Sequence, residues 1–173
     1  MNAPTTAAQA ATLVTGTSGL LGAALDAAER GWPVFPLTPH SKRPAIADWQ
    51  QRATCDPDRI RRWWLRHPGH NVGISCGPAG LLVLDLDAAH GRVPPPWAQR
   101  GVTHGRDVLA LLAQQAGQPD PVDTFTVATP RGGEHRYFSR PPESRLRSTV
   151  GARGRGLGWH VDTRGPGALI TEP

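Results

Sequence analysis

Apolar and polar positions along this chain follow two periods in turn. From residue 18 to 30, SGLLGAALDAAER places Leu21, Ala24, Leu25 and Ala28 on one stripe at helical spacing. That predicts an amphipathic helix with Gly31 as its C-terminal cap. GWPVFPL then predicts a short strand from Val34 to Leu37, which its prolines confine to a sheet edge or an irregular path. A basic loop, PHSKRPAI, follows. DPDRIRRWWLR predicts a second helix, with Thr54 or Asp56 able to cap it and Pro57 suited to its first turn. Its apolar residues are Ile60, Trp63 and Trp64, and two adjacent tryptophans cannot share one face.

Beyond that helix the period shortens to two. NVGISCG predicts a strand, PAG a turn, and LLVLDLD the strongest strand of the chain. VTHGRDVLALLAQQAG reads as a helix. TFTVATP and HRYF read as a hairpin joined by RGG. Residues 139 to 158 are irregular. HVDTRG and ALITEP form two last short strands around a Gly-Pro-Gly turn. Interspersed helices and short strand pairs place the fold in the α/β (α+β) class, with a mixed or antiparallel sheet. The expected organisation is a flexible leader over residues 1–17 and one domain over residues 18–173. Because the sequence stops just after a strand-like run, it reads as a piece of a longer protein.

Composition adds limits. The 173 residues suffice for one cored domain, and 20 glycines with 18 prolines imply long loops and frequent turns. Cys55 and Cys76 show neither paired metal-ligand spacing nor a disulfide framework, so the expected compartment is cytoplasmic. No run of 18 apolar residues suggests a membrane span, and the N-terminus lacks the layout of a signal peptide. Of 19 basic residues only Lys42 is lysine. Arginine favours bidentate contact with phosphate and carboxylate, although genomic base composition explains such a bias equally well.

Candidate chemistry gathers at three places. Asp85 and Asp87 lie two apart at the end of the strongest strand, so they point the same way. Two close carboxylates repel unless a proton or cation sits between them, and hard oxygens suit Mg²⁺ or Mn²⁺. The plain alternative is a strand end turning into solvent. Asp162 offers a third carboxylate on a second strand, and three acids on two strands can hold two cations. In the hairpin, His135 shares a face with Tyr137, where it could hold an incoming triphosphate or move a proton; Arg131 at the turn could grip the same phosphates. The other histidines form neither an HExxH motif nor a Cys/His cluster, so a zinc site has no support. Residues 131–164 hold eight arginines against three acids, an excess equal to the whole net charge of +5. That points to a polyanionic partner, or else to a solvated loop. Several tryptophans could stack on bases, with core packing as the alternative.

Taken together, GWPVFPL, SKRPAI with Trp49 downstream, DPDRIRRWW, NVGISCGPAGLLVLDLD, TPRGGEHRYF and VDTRGPGALITEP resemble, in order and spacing, the bifunctional DNA primase/polymerase (prim-pol) N-terminal domain of the archaeo-eukaryotic primase superfamily. The resemblance covers about residues 24 to 173. It implies a primase-like catalytic domain with an RRM-like mixed sheet and a small N-terminal lobe. It implies divalent metal at Asp85, Asp87 and Asp162, and nucleotide phosphates at His135, with Arg131, Arg164 and Lys42 as further phosphate contacts. The implied activity is primer synthesis or extension on single-stranded DNA from NTPs or dNTPs, beside a replicative helicase in cis or in trans, in plasmid or phage replication. A zinc-binding stem seen in some members is not visible here. Two other readings stay open. One is a metal-dependent nuclease or other phosphoryl-transfer enzyme, of which a D-x-D glycosyltransferase is a weaker form. The other is a non-catalytic nucleic-acid-binding module.

Overall fold

The computed structural model describes residues 17–149 and 156–172. Nearly all of the expected leader falls outside these residues, as do Arg153 and Arg155. Helix α1 (Thr17–Glu29) buries Ala24, Ala27 and Ala28. Gly31 closes it with φ +78°, a conformation glycine reaches without a Cβ clash. Strand β1 (Val34–Leu37) follows, then the short α2 (Trp49–Arg52) and α3 (Pro57–Arg66). Asp56 caps α3, its carboxylate accepting the Asp58 N–H at 2.9 Å and the Arg59 N–H at 3.4 Å. The two tryptophans part as expected: Trp64 is buried and donates its indole N–H to the His70 carbonyl, whereas Trp63 is half-buried.

Strands β2 (Asn71–Ser75) and β3 (Leu81–Leu86) come next, then α4 (Pro95–Ala98) and α5 (Gly105–Gln115). Strands β4 (Phe125–Ala128), β5 (Glu134–Ser139), β6 (Val161–Arg164) and β7 (Leu169–Glu172) complete the described chain. They form a three-stranded sheet, β1-β2-β7, and a four-stranded sheet, β4-β5-β3-β6. Every strand pairing among the described residues is antiparallel. Of the two sheet types the pattern allowed, the antiparallel one is therefore present, the mixed sheet implied by the resemblance is not, and the fold is α+β. β1 lies at an edge, as its proline requires. In chain order β3-α5-β4-β5-β6, the four-stranded sheet has the strand arrangement of an RRM-like sheet. β6 and β7 follow one another across Gly165-Pro166-Gly167 without pairing: the turn carries the chain from one sheet to the other.

β3 serves two cores through its alternation. Leu81 and Val83 pack with α1, α3, β2 and Tyr137 in one cluster. Leu84 and Leu86 pack with α5, Val102 and Val161 in the other. Asp85 continues the Leu81–Val83 face. The N-terminal lobe covers the apolar part of that face, and the carboxylate appears where the cover ends.

Candidate active site

The register fixes the centre of the site. Asp85 on β3 lies directly opposite His135 on β5 and opposite Asp162 on β6. Opposed residues of antiparallel strands project to one face, so the three side chains form a row across the sheet. Arg164, two residues beyond Asp162, shares that face. Its guanidinium donates to Asp85 Oδ2 at 2.9 Å and lies 3.6 Å from Asp162 Oδ2. It also donates to the Thr149 carbonyl, and the Thr149 hydroxyl reaches Asp162 Oδ1 at 3.4 Å. His135 Nε2 stands 3.6 Å from the other Asp85 oxygen.

Burial sets the electrostatics. Asp85 and His135 are only 5% and 3% exposed. Desolvation pushes the His135 pKa below the ordinary histidine value; Asp85 and Asp87 pull it up, while Lys42 and Arg164 push it further down. The ring is therefore neutral at neutral pH. Its Nδ1 is buried with no partner among the described residues, the kind of group a ligand satisfies.

Lys42 and Trp49, from the N-terminal lobe, meet Asp85 and Arg164 around a cavity of about 390 Å³. Trp49 is held by stacking on Phe35 at 4.5 Å, and Phe35 lies against Gly73, where a Cβ would stand 2.8 Å from its ring. Asp87 is exposed, one residue past the end of β3. Its N–H donates to the His160 carbonyl and its carbonyl accepts the Gly105 N–H. Arg131 is exposed in the β4–β5 turn and does not line the cavity. Of the residues read from sequence, Asp85, His135, Asp162, Arg164 and Lys42 thus come together; Asp87 stands at the margin and Arg131 apart.

Asp85, Asp162 and Asp87 offer hard carboxylate oxygens, a donor set suited to Mg²⁺ or Mn²⁺. Among the described residues no three acidic, histidine or cysteine side chains are already gathered as a cation cage. Arg164 spans two of the acids instead. The donor chemistry fits a divalent cation once that guanidinium leaves the carboxylates.

The basic stretch needs one correction. Arg136 is 5% exposed and satisfied by Glu134 and Asp120 on the opposite face, so it cannot serve a polyanion. Arg131, Arg145 and Arg147 are exposed. Sequence reasoning also missed His104, which is buried and caps α5. Its Nδ1 accepts the Arg106 N–H, so its proton is on Nε2, which donates to the Gly132 carbonyl at 2.9 Å. This ties the Arg131 turn to the helix that abuts Asp87. The spacing His104-x-x-Asp107, a variant of the capping box, was the available signal. No helix among the described residues is long and apolar enough to cross a membrane.

No curated protein matches the chain. A family model described as "Bifunctional DNA primase/polymerase, N-terminal" matches residues 24–173, which include every element of the two sheets and every side chain of the site. The chain belongs to the family of bifunctional DNA primase/polymerase N-terminal domains, whose activity at family level is nucleotidyl transfer in DNA synthesis.

Proposed function

We propose that this domain adds nucleotides to a primer on a single-stranded DNA template, from NTPs or dNTPs, at the Asp85–His135–Asp162 row. One observation carries the reading. Two opposed carboxylates and a neutral buried imidazole share a face that meets a cavity edged by Lys42 and Arg164. Acids able to hold cations lie beside bases able to hold phosphate, as polymerisation of a triphosphate requires.

Asp85, Asp162 and Asp87 would hold Mg²⁺ or Mn²⁺. The bound ions would supply Lewis-acid activation of the primer 3′-hydroxyl and neutralise charge on the leaving pyrophosphate. Lys42 and Arg164 orient the triphosphate, Arg164 exchanging its carboxylate partners for phosphate oxygens. His135, neutral and with Nδ1 unpaired, provides a hydrogen bond to the phosphates without adding charge. Arg131 acts on the phosphates only if the β4–β5 turn bends inward. A replicative helicase, in cis or in trans, would supply the unwound template.

Primer formation and extension on single-stranded DNA test this, with labelled NTPs or dNTPs, Mg²⁺ or Mn²⁺, and Asp85→Ala beside the wild type. Asp85→Ala should lower extension on the order of 10³-fold with its circular dichroism unchanged. Retained extension by a folded Asp85→Ala protein would remove Asp85 from the chemistry. Shortened DNA would indicate hydrolysis by the same acids.

A further inference from the structure

A second cavity, of about 220 Å³, lies at the C-terminal end of α3 and shares no lining residue with the first. Ala45, Ile46 and Trp63 give it apolar walls, Arg66, His67 and His70 give it polar ones, and no acid lines it. The His67 and His70 rings stack at 4.7 Å, and the indole N–H of Trp64 fixes the His70 carbonyl at 2.8 Å. Arg59 lies 5.0 Å over the Trp63 ring. His70 Nδ1 is buried without a partner among the described residues. Burial and then the neighbouring His67 keep that ring below the ordinary histidine pKa, so it is a neutral hydrogen-bonding group at neutral pH.

The fold makes little use of the charge gathered here. α3 carries four arginines against the single Asp58, and Arg61 is the one paired with it, at 3.1 Å. Arg66 and His67 are exposed. The cavity is below the usual range for small-molecule sites, about 300–1,000 Å³, and suits one base or one phosphate of a polymer. An aromatic wall beside cations is how single strands are held without sequence preference. The loop over residues 38–48 backs onto both cavities: Ala45 and Ile46 line this one, Lys42 the other.

We infer that the α3 cavity is a second contact for single-stranded DNA, taking one nucleotide with its base against Trp63 and His67 and its phosphate on Arg66. The inference rests on the reading that the domain works on single-stranded DNA. Fluorescence anisotropy of a labelled oligothymidine with the full chain tests it, using Trp63→Leu, the double variant Arg66→Ala with His67→Ala, and Arg61→Ala. Affinity should fall at least about fivefold in Trp63→Leu. In the double variant, the slope of log affinity against log salt should shrink by about 0.7. Arg61→Ala should stay within about twofold of wild type, as one exposed charge outside the cavity, and dNTP binding should be unchanged in all three. Unchanged affinity and salt slope in the double variant would overturn the inference. So would an equal loss in Arg61→Ala, which would mark diffuse charge rather than a site. Because Arg66 and His67 are exposed, the double variant decides the matter even if Trp63→Leu folds poorly. A wild type that does not bind the oligonucleotide would overturn the DNA reading as well.

Discussion

At the scale of residues, the site turns on how Asp85 divides its two oxygens. One faces His135 at 3.6 Å and the other accepts Arg164 at 2.9 Å. Arg164 also neutralises Asp162, so one guanidinium steadies two carboxylates that stand opposite each other. Replacing it with methionine leaves two facing acids without their shared cation. Arg164→Met should therefore bind Mn²⁺ more tightly than wild type in the absence of nucleotide, and bind dNTP about tenfold more weakly, the worth of a charge-assisted hydrogen bond. Electron paramagnetic resonance of Mn²⁺ and calorimetry of dNTP read the two effects separately. If neither moves, Arg164 is a strut that holds Thr149 and β6 in place. The place of Asp85 on the inner face of β3 was legible from a period of two. Asp87, which the same period set beside it, lies one residue past the strand's end and is exposed. Arg164's bond to Asp85 spans 79 positions, and no local pattern announces a contact at that separation.

At the scale of elements, α5 shows what local chemistry does for the site. Asp107 accepts the N–H groups of Thr103 and His104 and the Thr103 hydroxyl, while His104 accepts the Arg106 N–H. Partial burial raises the Asp107 pKa, but these hydrogen bonds and Arg106 more than offset it, leaving it below 3.8. Gly105 lets the helix start abut the end of β3, since a side chain there would collide with the His160 carbonyl. Asp107→Ala should cost about 1 kcal/mol, a fall of about 2–4 °C in Tm. The sign with pH follows from the lowered pKa: the carboxylate stabilises the fold above 3.8, its unfolded value, and that contribution is lost as pH falls through the folded value. The gap between wild type and Asp107→Ala should thus be full at pH 7 and close below about pH 4. Thermal melts across that range check it, and a gap that persists in acid would assign the stability to packing rather than charge. The four-residue α2 and α4 are too short to show a period, whereas the longer helices α1, α3 and α5 and the strands β1 to β7 could be located from period and punctuation. The pairing of the strands could not: the Gly165-Pro166-Gly167 turn resembles a hairpin connection, yet β6 joins β3 and β7 joins β2. Both strands are four residues long, and so short a segment fits either sheet.

At the scale of the whole molecule, the sequence suggested a small lobe beside a catalytic sheet, and the core joins the two more closely. Val72, Ile74 and Ile170 of one sheet share a buried cluster with Leu81, Val83 and Tyr137 of the other. β3 passes from that cluster to the second, so neither sheet can open without exposing core. The lobe should unfold with the catalytic sheet in one transition. Cys76 is placed to report this, being fully buried in the shared cluster between β2 and β3. Burial pushes its thiol up to about 12, so the folded state offers almost no thiolate at pH 8. A thiol reagent reaches Cys76 only when the cluster opens. In a Cys55→Ser background, labelling of native protein should be at least about 10³-fold slower than of unfolded chain, as a stability near 5 kcal/mol implies. Across a urea series the labelling should accelerate in step with the loss of far-ultraviolet circular dichroism. Labelling that runs far ahead of that loss would mean the lobe opens alone. Lys42 and Trp49 would then reach the cavity as parts of a moving jaw, rather than as a wall built into the same core as Asp85.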